Sequence, residues 1–179
     1  AIGANGNDGN GANSGHVRVY YWNNSTWSQL GQDIDGEAAG DNSGCSVSLS
    51  SDGNIVAIGA KNNSWLNNGG SSGHVRVYEW DNSMNLWYQL GTDIAGENLG
   101  DQSGFSVSLS DDGQTVAIGA PYNGGNGTNA GQAKIYNYNG SSWNQIGQDI
   151  DGEESGDESG YSVSLSSDGN KVVIGAPYN

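Results

Sequence analysis

Short alternations of apolar and polar residues mark the chain from end to end, and they come in a fixed order. SVSLS at 46–50 sets Val47 and Leu49 on one side of an extended segment and the serines on the other. The same five residues recur at 106–110 and 162–166. An Asp-Gly pair follows each time, at Asp52-Gly53, Asp112-Gly113 and Asp168-Gly169, and then a second apolar run, NIVAIGA, QTVAIGA or NKVVIGA. Asp-Gly between two such runs predicts a tight hairpin. Two further strands complete the set. One is GHVRVYYW (15–22), matched by GHVRVYEW and GQAKIYNY; the other is WSQLGQDI (27–34), matched by WYQLGTDI and WNQIGQDI. Nowhere does the 3.6-residue period of a helix emerge.

AIGA begins at Ala1, Ala57 and Ala117, and VIGA at Val173, so the pattern repeats at intervals of 56, 60 and 56 residues. The units are 1–56, 57–116 and 117–172, with the start of a fourth at 173–179. The longer middle unit holds its extra residues in KNNSWLNNGGSSG and WDNSMNLW, polar stretches of the kind that tolerate insertion. Four antiparallel strands per unit predict an all-β fold of tandem four-stranded blades, β-propeller-like; a β-solenoid or an open fibre of stacked sheets is the competing architecture. A propeller closes with roughly 4–8 blades. The array is therefore expected to be a window of a longer chain, or to be completed by other copies or further repeats of the same chain. No leader segment is visible and the chain does not open on Met, which reads as a mature product or an excerpt.

Composition narrows the partners. The 179 residues carry a net charge of −15, and only 34% are hydrophobic, yet the regular apolar runs rule out a disordered composition. A strongly acidic chain lacks the basic face that nucleic acid or an anionic membrane would need. No apolar run approaches the ~18 residues of a membrane-spanning helix. The single cysteine, Cys45, has no internal disulfide partner and reads as a small buried hydrophobe.

The junction SGYSVSLSSDGNKVVIGAP (159–177) resembles the FG-GAP repeat of integrin α-subunit-type propellers and their bacterial and algal relatives. Its FG position is filled by Gly104-Phe105 and Gly160-Tyr161 and loosely by Gly44-Cys45. The GAP position is complete at Gly119-Ala120-Pro121 and Gly175-Ala176-Pro177 and partial at Gly59-Ala60-Lys61 and Gly3-Ala4-Asn5. The resemblance covers essentially the whole chain and implies an extracellular or cell-surface propeller used for adhesion or ligand binding. Many such repeats carry a D-x-D-x-D-G calcium loop between the third and fourth strands. Here that place holds only SSDGN or DDGQ, so those calcium residues have no counterpart.

Acidic residues gather elsewhere. GQDIDGEAAGDNSG (31–44), GTDIAGENLGDQSG (91–104) and GQDIDGEESGDESG (147–160) hold 13 of the 20 carboxylates. Calcium takes six to eight oxygen ligands on a flexible loop. The candidate set is Asp33, Asp35, Glu37 and Asp41; then Asp93, Glu97 and Asp101; then Asp149, Asp151, Glu153 and Asp157. The second copy lacks the middle acid, having Ala95. Calcium is the one cofactor these loops suggest. The alternative is structural ion pairing. Arg18, Arg76 and Lys134 share one position inside the first strand, and a cation held there should draw a carboxylate, from Asp33/Asp93/Asp149 or from Asp41/Asp101/Asp157.

Catalysis by a carboxylate pair requires two acids ~5–10 Å apart. An active site normally breaks internal symmetry, and each acid recurs with its unit, so no enzyme is expected. His16 and His74 give way to Gln132, which points to strand-edge hydrogen bonding. The serines of SVSLS are expected to allow close sheet packing. Recurring aromatics (Tyr20/Tyr78/Tyr136, Trp22/Trp80/Tyr138, Trp27/Trp87/Trp143) are expected between blades. Trp65, in the loop unique to the second unit, is a candidate contact for a glycan or protein ligand. Asn23, Asn24, Asn62, Asn126 and Asn139 head glycosylation sequons in predicted loops. The expected function is a non-catalytic extracellular structural or adhesive module. The alternatives are a structural protomer of an extracellular fibre and a propeller-type glycan-active hydrolase.

Overall fold

The computed structural model describes residues 1–64 and 71–179. Among these it is all-β: no helix forms, and every strand pairing within its sheets is antiparallel. Two sheets are complete. One orders Ser46–Leu49, Ile55–Ala60, His74–Asp81 and Ile94–Ala95, with Leu86–Gln89 also on His74–Asp81. The next repeats it with Ser106–Leu109, Thr115–Ala120, Gln132–Tyr138, Ile150–Asp151 and Trp143–Gln145. Before them stand a three-stranded sheet (Ile2–Ala4, His16–Arg18, Ile34–Asp35) and the hairpin Tyr20–Trp22/Trp27–Gln29; after them comes the pair Ser162–Leu165/Val172–Gly175. Each complete sheet straddles a unit boundary, taking its SVSL strand from one unit and its last three strands from the next.

Asp-Gly makes the expected hairpins. The Asp52 carboxylate accepts from Ser50 Oγ (2.6 Å) and from the Asn54 N–H (3.0 Å), while Ser50 Oγ accepts the Ile55 N–H at 2.9 Å. WSQLGQDI differs from its expectation as a single strand. It splits into Trp27–Gln29 and Ile34–Asp35, as its counterpart splits into Leu86–Gln89 and Ile94–Ala95. Gln89 lies opposite Tyr78 and Ile94 opposite Val75, so the four residues between them face only two, Arg76 and Val77. The two surplus residues fall within Leu90 to Asp93, a bulge that starts from the Leu90 N–H on Val77 O at 2.8 Å and keeps the Leu90 side chain in the core.

The sheets stack face to face around two apolar clusters. Val17, Val19 and Ile34 of the first sheet meet Val56, Ile58, Tyr78, Trp80 and Trp87 of the second. The other face of the second sheet, with Ile55, Ala57, Val75 and Val77, meets Val107, Leu109, Val116 and Ile118 of the third. The serines do more than permit this approach. Ser46 Oγ donates to Gly104 O (2.7 Å) and Ser106 Oγ to Gly160 O (2.8 Å), while Ser48 Oγ accepts the Leu109 N–H at 3.0 Å. Cys45 is half-buried at the same seam, its Sγ 3.3 Å from Gly59 O and 3.4 Å from Gly104 O. Here the glycines of the GAP and FG positions touch: a Cβ on Gly59 would lie 2.0 Å from Gly104 O. Indoles also join neighbouring sheets. Trp87 Nε1 donates to Leu30 O and Trp143 Nε1 to Leu90 O, both at 2.9 Å. Trp22 and Trp27, in the hairpin that follows the His16–Arg18 strand, depart from the expected packing and are exposed.

Candidate functional site

Alternation along His74–Asp81 sends His74, Arg76 and Tyr78 to the face that meets the first sheet. Two loops close on that row. The bulge of the same unit brings Asp93, and the acidic loop of the preceding unit brings Glu37. His74 Nδ1 lies 3.6 Å from Asp93 Oδ2 and 4.0 Å from Glu37 Oε2. Arg76 Nη1 is 3.5 Å from Glu37 Oε1, and its Nη2 donates to Asp35 O at 3.0 Å. Gln89 Nε2 donates to Asp93 Oδ1 at 2.7 Å. Side-chain exposure is 1% for His74, 8% for Arg76 and 9% for Asp93, but 44% for Glu37, which forms the rim.

The environment tunes the titratable groups. Burial, and after it the Arg76 charge, pushes the His74 pKa down to about 4, so the imidazole is neutral at neutral pH. Burial raises the Glu37 carboxyl above its ordinary range against the opposing pull of Arg76, making it the stronger proton acceptor. His74 Nδ1 is buried with no hydrogen-bond partner among the described residues. The expected strand-edge hydrogen bond for this histidine is thus corrected: position 74 lies mid-sheet, shut between two blades.

The same positions do different work in the other units. In the first sheet Arg18 grips Asp33 through two hydrogen bonds, Nε to Oδ1 at 2.8 Å and Nη2 to Oδ2 at 2.7 Å. Those bonds lower the Asp33 pKa to about 2. In the third, Lys134 Nζ contacts Glu97 of the preceding unit and lies 3.4 Å from Asp149 Oδ2, while Gln132 Nε2 donates to Asp149 and Asp151, both at 3.0 Å. Ion pairing at the strand cations is therefore present. The expected partner fails for Arg76, which takes Glu37 from the neighbouring unit. Asp93 faces His74 instead.

The four acids of one loop do not converge. Asp41, Asp101 and Asp157 are buried caps, each accepting the N–H three residues earlier, from Ala38 (2.9 Å), Asn98 (3.1 Å) and Glu154 (2.8 Å). Asp35 sits in a strand opposite His16, and Glu153 is exposed. Among the described residues, the potential ligand atoms of Glu37, His74 and Asp93 lie within 4.8 Å of one another. Sequence reasoning named the two acids and missed the histidine. The signal is the change from His74 and Arg76 to Gln132 and Lys134, which the sequence reading assigns to strand-edge hydrogen bonding. Trp65 lies outside the described residues. Of the sequon asparagines, Asn23, Asn24, Asn126 and Asn139 are exposed and Asn62 is half-buried. Asn126 Nδ2 is engaged by Gly152 O at 2.8 Å.

Known proteins give the fold its context. No curated protein matches the chain by sequence. The periplasmic gluconolactonase of Pseudomonas aeruginosa superposes with a TM-score of 0.53 at 16% identity, over 88% of this chain and 42% of that one. A Bacteroides uniformis protein described as a 6-phosphogluconolactonase superposes with a TM-score of 0.56 at 13% identity, over 89% and 40%. The chain thus spans about two fifths of the length of each. These likenesses establish the β-propeller-like fold. The expectation of a non-catalytic structural or adhesive module is corrected on this finding: the two solved structures above are described as lactonases. The Gly104-Phe105 and Gly119-Ala120-Pro121 signatures, whose glycine neighbourhoods seal one sheet to the next, fall within the stretch that matches a known repeat family: residues 96–136 match the FG-GAP repeat.

Proposed function

We propose that this chain is part of a propeller-type hydrolase acting on sugar-derived substrates such as lactones, with the Glu37–His74–Arg76–Asp93 junction as its reactive centre. The observation that carries the reading is a contrast between the two junctions at which a described acidic loop meets the next sheet's strand cation. Only between the first and second sheets, among the described residues, do a buried neutral imidazole, a rim carboxylate and a buried guanidinium meet. At the equivalent place in the third sheet Lys134 contacts Glu97 directly, and the cavity there is about 10 Å³, room for one water. The lactonase neighbours support the substrate class.

Hydrolysis of a lactone needs a proton acceptor for the attacking water and a positive charge for the oxygen that becomes anionic. Glu37, raised in pKa and half-open to solvent, takes the proton. Arg76 is permanently charged and lies 3.5 Å from that carboxylate, near enough to offset the developing oxyanion. His74 and Asp93 hold the floor. The test is proton release from gluconolactone in lightly buffered solution. Hydrolysis above the buffer rate is expected, falling by roughly 10²-fold or more in Glu37→Gln, the usual scale for a lost general base. A wild-type rate equal to that of buffer alone overturns the reading.

A further inference from the structure

We propose that Glu37, His74 and Asp93 form a divalent transition-metal site of the zinc class. This goes beyond the hydrolytic reading and does not depend on it. The first observation is the histidine. Its Nδ1 is buried, lacks a hydrogen-bond partner among the described residues, and points at two carboxylate oxygens. A neutral imidazole and two carboxylates are the donor set zinc accepts, at about 2.0–2.2 Å each. Tetrahedral geometry at that bond length puts donor atoms about 3.3–3.5 Å apart. Nδ1 already lies 3.6 Å from Asp93 Oδ2 and 4.0 Å from Glu37 Oε2, so small side-chain shifts complete three corners and leave the fourth for water.

The second observation is independent, because it comes from the next junction. There the corresponding acids, Glu97 and Asp149, converge on a cation, the Lys134 ammonium. This position in the fold is built around positive charge. In the second unit Arg76 turns instead to Asp35 O and the far oxygen of Glu37, leaving Asp93 without it. The remaining oxygens are fixed from behind, Asp93 Oδ1 by Gln89 and Glu37 Oε1 by Arg76, as outer partners orient metal ligands elsewhere. Two carboxylates and one guanidinium leave a net charge of −1. A divalent ion holding one hydroxide neutralises it, and zinc brings its bound water to a pKa of about 7.

The 179-residue chain, stripped with chelator and dialysed, is titrated with cobalt chloride and then with zinc chloride. One equivalent of cobalt is expected to raise the intense visible absorption of a four-coordinate ion, and zinc to abolish it. His74→Gln is the decisive variant, since glutamine occupies this position in the next unit as Gln132 and the fold accommodates it. It should weaken binding by at least about 100-fold, the upper range for losing even an outer partner, with an unchanged circular dichroism spectrum. Asp93→Asn should do the same. Failure of wild type to bind cobalt overturns the site. So does undiminished binding by His74→Gln, or equal binding of calcium by both proteins, which would assign the ion to the acidic loops. Metal binding without gluconolactone turnover leaves the site standing and removes only the hydrolytic reading.

Discussion

Replacing Gly59 by alanine tests the seam that joins the sheets. Gly59 does not adopt the left-handed backbone conformation, so alanine there costs nothing in φ. The added methyl meets backbone: it would lie 2.0 Å from Gly104 O, 2.3 Å from Ser46 Oγ and 2.9 Å from Gly104 C. A carbonyl oxygen in a strand-end turn cannot swing away as a side chain does. The second and third sheets must therefore part locally by about 1 Å or more. That movement breaks the Ser46 hydrogen bond to Gly104 O and loosens the one from the Leu109 N–H to Ser48 Oγ. Each is worth about 1 kcal/mol, and overpacking adds about 1–3 kcal/mol. The sum is about 3–5 kcal/mol, a large part of the ~5–15 kcal/mol that holds a domain folded. Gly100 supplies the contrast. It sits at φ +91 with nothing within 4 Å of its would-be Cβ, so Gly100→Ala costs only the backbone penalty of about 1–2 kcal/mol. Equilibrium unfolding in urea, followed by tryptophan fluorescence, compares the two midpoints. The reasoning is refuted if Gly59→Ala is no less stable than Gly100→Ala.

Trp87→Phe leaves Leu30 O without its donor and should cost about 1–2 kcal/mol, whereas Trp27→Phe, at the exposed counterpart, should cost under about 0.5 kcal/mol; urea midpoints measure both. Lys134→Ala leaves Glu97 and Asp149 facing each other without their cation. Both acids are partly exposed, so the loss is about 1–2 kcal/mol and shrinks when salt is added during thermal unfolding. The Asp33 carboxyl should titrate near pH 2 by NMR and return toward its ordinary 3.8 in Arg18→Ala. Its folded pKa lies below its unfolded one, so the pair stabilises the protein above that unfolded value and loses its contribution as pH falls through about 2.

Much of the fold was legible because strand chemistry is local. Val47 and Leu49 alternate with serine, Asp52-Gly53 turns the chain, and the interval between copies announces the sheets. The cation position was legible too, because a charged side chain inside an apolar strand must find a partner. What periodicity cannot say is which copy supplies that partner. Glu37 and Arg76 are 39 positions apart in neighbouring units, and only the stacking of sheets joins them. The bulge from Leu90 to Asp93 was hidden for a similar reason. WYQLGTDI reads as one extended run until its pairing with Tyr78 and Val75 shows two residues too many. The role of His74 is hidden because the change to Gln132 reads as the mark of a non-essential hydrogen bond, when exchanging His and Arg for Gln and Lys changes which carboxylate each reaches.

The straddling of unit boundaries by the sheets has a genetic consequence. A duplication of one repeat length adds one sheet's worth of strands wherever its endpoints fall, since any window of that length contains each of them once. Recombination within such a gene need not respect a boundary to yield a foldable product, and the serine and tryptophan links supply the new blade's attachments on both faces. Copy number is thereby free to drift by whole blades, while a single junction, such as the one between the first two sheets, diverges in its own chemistry.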